Sequence, residues 1–195
     1  MTPAVVPPEF ADAPPPRRKR WTRDECAQLA TLFDLHRFEL IDGELIEKMG
    51  KNHPHMLVLM LMVEWLRTVF PPRQVAQEIS IDLRPEDNPA SEPEPDAVVL
   101  NRSFALVAPR PQPADILLVV EVADSTLATD LGPKRDLYAR AGIPDYWVLD
   151  LAGRRTIVHR EPVAGSYRSV IACEAHEAVS PLAAPEAMFV LAALA

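Results

Sequence analysis

The sequence predicts an α/β (α+β) fold in which a mixed central β-sheet is flanked by helices. Three observations predict it. The stretch "ADILLVVEV", residues 114–122, is a continuous apolar run of the kind that forms a strand buried on both faces. Helix-period and strand-period segments are interleaved along the whole chain, which argues a layered fold rather than separate helical and sheet units. An Asp-Gly pair between two short apolar runs marks a hairpin. With 195 residues, 48% of them hydrophobic, the chain is long enough for one domain with a sizeable core.

Taken in order, residues 1–20 are read as a flexible Pro/Arg-rich leader and 21–195 as the folded domain. The leader offers little apolar surface to offset the entropy of ordering. Its "PPPRRKR" is read as a solvated segment, with a basic arm touching nucleic acid as the other reading. Thr22 opens the first helix, because "TRDE" is a capping-box pattern with Glu25 at its third position. Leu29, Leu32, Phe33 and His36 continue it at helical spacing. In "FELIDGELIEKMG" the Asp42-Gly43 pair turns the hairpin. Pro54 falls in the first turn of the next helix, where its missing N–H costs nothing. That helix runs to about Phe70 and is apolar nearly all round, so it is expected to be deeply packed.

"QVAQEISIDL" alternates, with Val75, Gln77, Ile79, Ile81 and Leu83 sharing one face. Gln77 is therefore a polar residue among apolar neighbours. The loop "RPEDNPASEPEP" leads to a strand that begins at Asp96. After the central strand, a helix is expected from about Asp130 to Ala141, closed by Gly142. "DYWVLDL", "RRTIVHR" and "SYRSVIAC" read as strands, and "EAMFVLAAL" as a strand or short helix.

Composition narrows the function. No apolar run reaches the roughly 18 residues of a membrane span, and the N-terminus lacks the apolar core of a signal peptide. Cys26 and Cys173 are far apart and lack a metal-ligand spacing, which fits reduced thiols in the cytoplasm. A net charge of -8 and a pI near 5.1 argue against strong nonspecific DNA binding, which draws on cationic contacts to phosphate.

Two carboxylates stand out against this background. In "SEPEPDAVVL" two prolines stiffen the chain directly before Asp96, a poor strand former at the head of a buried strand. Glu121 lies at the end of the most apolar strand. Carboxylates there are costly to bury unless compensated. A hydrogen-bond network would serve, as would a divalent cation of the kind held by one or two carboxylates plus water and phosphate. Strand-end acids are also common as caps and salt-bridge partners.

The order of motifs resembles the PD-(D/E)XK nuclease superfamily, and within it the restriction-endonuclease-like Uma-two family. The resemblance spans roughly Trp21 to Ala195. It is carried by "FELIDGELIEKMG", "GKNH", "VAQEISIDL", "SEPEPD" and the block "EVADST…D…K…Y…GIPDYW". It implies a metal-dependent DNA endonuclease using Mg²⁺ (or Mn²⁺). Asp96 and Glu121 would be the ligands, the carbonyl of Val122 or Ala123 would complete the protein side, and Glu44 would be the hairpin acid that approaches the same metal from the other flank, its other reading being a solvated acid beside the turn. Gln77 would sit near the attacking water, and His53 would be the family histidine, with His55 only its neighbour. The superfamily places a lysine two residues after the second acid, where this chain has Ala123. Lys134 on the following helix is the implied substitute, with Tyr138 one turn on. Asp130 and Lys134 are four apart, which is also the spacing of an exposed helical salt bridge. DNA is the implied partner, bound weakly and with cation assistance, and a homodimer would suit cleavage of both strands. The other reading is a nuclease-fold protein that binds nucleic acid or a protein partner without cutting.

Overall fold

The computed structural model describes residues 18–32, 38–48, 52–107 and 109–194. A six-stranded mixed sheet lies at its centre, with β3 (Val75–Gln77), β4 (Ala97–Leu100), β5 (Ile116–Ala123), β6 (Asp145–Asp150), β7 (Arg155–Val163) and β8 (Ser166–Glu174) side by side in that order. Only β5 and β6 pair in parallel, and the helical segment between them makes that possible. All other neighbours are antiparallel. The α+β architecture expected from the interleaved periods is therefore observed.

The core has two layers because both faces of the sheet are apolar. Val119 and Ala123 of β5 pack on one side with Leu137, Tyr138 and Tyr146. Leu118, Val120 and Val122 pack on the other with Leu59, Met62, Val63 and Leu66 of α2 (His53–Val69). The period of two along β5 sends successive side chains into opposite layers.

The N-terminal elements form largely as read. Thr22 caps α1 (Arg23–Leu29) in a complete capping box with Glu25. β1 (Phe38–Ile41) and β2 (Glu44–Glu47) pair as a hairpin, with Asp42 and Gly43 both at positive φ, the geometry that Asp-Gly favours. Gly142 caps α4 (Arg135–Ala141) in the left-handed region. No helix among the described residues is long and apolar enough to cross a membrane.

Four expectations need correction. The first helix stops at Leu29 and Leu32 is 75% exposed, while Phe33 and His36 lie outside the described residues. α2 buries only one stripe, and Met56 and Met60 face outward at 46% and 60% exposure. The alternating run from Val75 leaves the sheet after Gln77, because Glu78 turns to φ +52 and shifts the face that later residues present. The helix expected from Asp130 is instead a short α3 (Leu127–Thr129), a π-type turn over Asp130–Lys134 and then α4. Pro133 and the non-helical Gly132 account for the widened turn. The C-terminal stretch is both a strand and a helical turn: β9 (Ala178–Val179) pairs with β10 (Phe189–Val190), and a 3₁₀ turn follows at Leu191–Leu194.

Candidate active site

β4 is shorter than β5. It begins at Ala97, opposite Val120, so the flank of β5 beyond Val120 has no strand partner on that side. Asp96 fills the gap. Its Oδ2 accepts a hydrogen bond from the Val122 backbone N–H at 2.8 Å, standing in for the missing ladder bond. The stiff "SEPEPD" approach holds it there. Glu92 N–H donates to the Leu40 carbonyl at 2.6 Å and Asp42 N–H to the Ser91 hydroxyl at 3.0 Å, so this strap is stitched to the hairpin.

Glu121 lies beside Asp96 and is 3% exposed. Its Oε2 is 3.4 Å from the Asp96 backbone nitrogen. Its Oε1 accepts from Lys134 Nζ at 3.0 Å and from the Tyr138 hydroxyl at 2.9 Å. The structure thus brings Asp96, Glu121, Lys134 and Tyr138 together. The two candidate carbonyls face opposite flanks of β5. Ala123 O accepts from Leu151 N–H at 2.9 Å, on the β6 side. Backbone groups of successive strand residues face opposite flanks, so the Val122 carbonyl shares the open flank with Asp96.

Lys134 is 6% exposed and is no surface residue. Besides Glu121 it contacts Glu39 at 2.9 Å and Asp130 at 3.9 Å. The π-type turn carries it inward. The reading of Asp130 and Lys134 as an exposed pair is therefore overturned, since Asp130 is 2% exposed and accepts from the Thr126 hydroxyl at 2.6 Å.

Burial governs the electrostatics. It pushes Glu121 well above the ordinary glutamate value; Lys134 opposes this, and Asp130, Asp96 and Glu39 reinforce it. Burial likewise raises Asp130 to about 6. Lys134 is disfavoured as a cation by its own burial, yet Glu121, Glu39 and Asp130 outweigh that and hold its pKa well above the usual lysine value. Tyr138 is held firmly as a phenol by burial and by Glu121, so it can only donate to that carboxylate. The centre is a charged lysine caged by more acid than it can neutralise.

The pocket at this centre has a volume of about 370 Å³. Eight acidic side chains line it against two lysines, Lys48 and Lys134, so its field repels phosphate unless cations enter. Three expected residues are elsewhere. Glu44 is exposed beside the turn and is absent from the lining; Glu39, two rungs along the hairpin ladder and opposite Ile46, lines the pocket instead. Gln77 is exposed and borders a separate groove along α2, while Glu78 reaches the cleft. His53 is exposed on that same groove. His55 is the histidine of the site, with Nε2 3.3 Å from Asp96 Oδ2. Its Nδ1 is buried without a hydrogen-bond partner among the described residues, and the Nε2–H tautomer leaves it a lone pair rather than a stranded donor. The signal for His55 was in the sequence: it lies on the stripe with Leu59, Met62, Val63 and Leu66, whereas His53 does not.

A family model described as "Putative restriction endonuclease", Uma2, matches residues 23–193. The fold is similar to the crystal structure described as a "putative nuclease belonging to DUF820" from Anabaena variabilis, at 18% sequence identity and a TM-score of 0.60, over 80% of this chain and 88% of that one. At that identity the likeness shows the shared fold. No curated protein matches this chain significantly.

Proposed function

The chain belongs to the Uma2 family, and on that premise we propose that the cleft is the active site of a Mg²⁺- or Mn²⁺-dependent endonuclease that hydrolyses phosphodiester bonds in DNA. The observation that carries the reading is the meeting of Asp96 and Glu121 on the open flank of β5, with Lys134 Nζ 3.0 Å from Glu121. The donor set fits a hard cation. Among the described residues no group of three or more His, Cys, Asp or Glu side chains is gathered tightly enough to hold an ion alone. Asp96, Glu121 and the Val122 carbonyl would supply the protein ligands, and water and phosphate oxygens the rest, as is usual for Mg²⁺. When bound, such a cation polarises a phosphodiester oxygen and lowers the pKa of a water molecule.

The protein's own groups do the remainder. Tyr138 pins one oxygen of Glu121 and so aims the other at Asp96. Lys134 is a fixed cation in a desolvated wall, placed to balance the negative charge that gathers on the scissile phosphate as water attacks. The acidic lining favours ordered assembly, in which cations enter before DNA, and DNA is held weakly.

Nicking of supercoiled plasmid tests this. Cleavage is expected with Mg²⁺ or Mn²⁺ and none in chelator, and Ca²⁺ is expected to tighten DNA binding while added salt loosens it. Metal-dependent DNA binding without any cut in single-stranded, duplex or branched DNA would instead favour the non-cleaving reading. Arg18–Arg20 are exposed, though Arg20 is engaged with the Asp42 carbonyl, so tight binding in chelator would point to that basic stretch.

His55 acts through Asp96 as a positioning residue. His55→Ala is expected to lower turnover by about 10- to 100-fold, the usual cost of losing a group that orients a metal ligand. His55→Gln, which keeps a side-chain N–H, recovers part of it, with the change falling on kcat and on metal affinity rather than on KM for DNA. His53→Ala leaves all three parameters at the parental values. Equal losses from both histidines would rule out the assignment.

A further inference from the structure

The two lysines that line the cleft among the described residues are held differently. Lys134 is buried and shared by Glu121, Glu39 and Asp130. Lys48 lies one residue past the end of β2, with 25% of its side chain exposed. Its ion-pair partner among the described residues is Glu94, whose side chain is 33% exposed. A pair this open to water contributes little to stability, so its cation is easily given up to another anion. Glu94 itself is fixed. It stands between Pro93 and Pro95 on the strap and accepts from the Ser80 hydroxyl at 3.3 Å. Glu94 and Asp96 both line the cleft and are two residues apart, so at most roughly 7 Å of backbone separates them. That is of the order of the step between neighbouring phosphates in one strand of nucleic acid.

We propose that Lys48 holds the phosphate next to the scissile one, and that Glu94 competes with the substrate for it. The proposal rests on the endonuclease reading of the cleft. Binding exchanges one partner for another. The Lys48 ammonium leaves the Glu94 carboxylate, donates to the non-bridging oxygens of that phosphate and displaces a condensed counterion from the DNA. Rotation about the bonds of its flexible four-carbon stem is enough for the exchange. Lys134 cannot take this part, because three buried carboxylates already share it. The competing role for Lys48 is a latch, since it joins the hairpin to the strap through Glu94. A latch and a phosphate holder differ in what substitution does.

Fluorescence anisotropy of a labelled DNA duplex in Ca²⁺ tests it on the full chain, together with steady-state cleavage of the same duplex in Mg²⁺. Lys48→Met keeps the aliphatic stem and removes the charge. It is expected to weaken binding by about tenfold, with the loss falling on KM rather than kcat. The slope of log Kd against log salt should shrink by about 0.9, the share of one phosphate. Glu94→Gln keeps an acceptor for Ser80 and is expected to tighten binding by about twofold to fivefold, the factor that matches a partly exposed ion pair. In the Lys48→Met background the same change should lose that gain. A latch would instead lower the melting temperature in both single variants and leave the salt slope alone. An unchanged slope in Lys48→Met, or an equal gain from Glu94→Gln in both backgrounds, overturns the proposal. The two readings fail separately. A parent that binds the duplex in Ca²⁺ but does not cut in Mg²⁺ ends the endonuclease reading, and Lys48 is still decided by Kd and slope. A parent that binds no DNA even in Ca²⁺ overturns both.

Discussion

Asp96→Asn is expected to abolish the proposed metal-dependent cleavage, with turnover lowered by on the order of a thousandfold or more, the rate equivalent of several kcal/mol of lost charge stabilisation. The fold persists. Asn keeps a carbonyl oxygen that can accept from Val122 N–H, the bond by which Asp96 continues the sheet at 2.8 Å. It also removes one of the negative charges that push Glu121 upward. The variant is therefore expected to melt no lower than the parent in the absence of metal and to lose most of the stabilisation that Mg²⁺ or Mn²⁺ confers on the parent. Two measurements decide it: plasmid nicking, and the thermal shift on adding cation. Parental cleavage by Asp96→Asn would remove Asp96 from the metal site.

Lys134→Ala is expected to lower turnover by on the order of a hundredfold or more, because on the proposed reading it deletes the buried cation that faces the scissile group. It also destabilises the fold. Losing the cationic partner strands Glu39, Glu121 and Asp130 together in a buried site, a change that typically costs about 3–5 kcal/mol. The pH dependence carries a definite sign. Glu121 and Asp130 have folded pKa values above their unfolded ones, Asp130 at about 6. Without Lys134 both rise further. Groups of this kind favour folding at pH below their unfolded pKa, and that advantage is lost as pH climbs through the folded one. The stability gap between Lys134→Ala and the parent should thus be widest above pH 6 and narrow on acidification. Denaturant melts across that range check it. A gap that is flat in pH, or a variant that cuts at the parental rate while folded, would refute the assignment.

The same geometry disfavours a lysine at position 123. Ala123 is fully buried against the layer containing Leu137 and Tyr138. A lysine side chain there would overpack the core. Delivered from the helix side, the ammonium reaches Glu121 while the strand keeps its small residue.

The frame of the molecule was legible because it rests on strong local signals. The capping box at Thr22, the Asp42-Gly43 turn, Gly142 and the apolar run of β5 each specify a conformation over a few residues. The meeting of Asp96, Glu121 and Lys134 in one cleft was legible too, through motif order. What failed was facing. Gln77 and Glu78 exchanged places because a non-glycine residue at positive φ broke the alternation, and nothing in the residue type announces that. Glu39 lines the cleft where Glu44 was expected, because turn chemistry fixes which residues pair across a hairpin but not which end abuts the main sheet. Asp130 passed for a surface residue because its spacing to Lys134 matches a regular helix, and the π-type turn abolishes that regularity. His55 was recoverable from the apolar stripe of α2 and was missed by following a tetrapeptide instead of the helical phase.

The strap from Ser91 to Asp96 has a mechanical consequence. One end is bonded to β1 through Leu40 and the other to β5 through Val122, with Pro93 and Pro95 between them. A span this short and this poor in rotational freedom has no slack, so the hairpin cannot swing outward without dragging Asp96 off Val122. Glu39 rides on the hairpin and Asp96 on the strap, so the width of the cleft and the spacing of its acids are a single quantity. On the proposed function the opening is a fixed gauge: nucleic acid would be sorted by whether its backbone fits between stationary walls, and a graft that lengthened the strap by even one flexible residue would uncouple fit from the spacing of the acids.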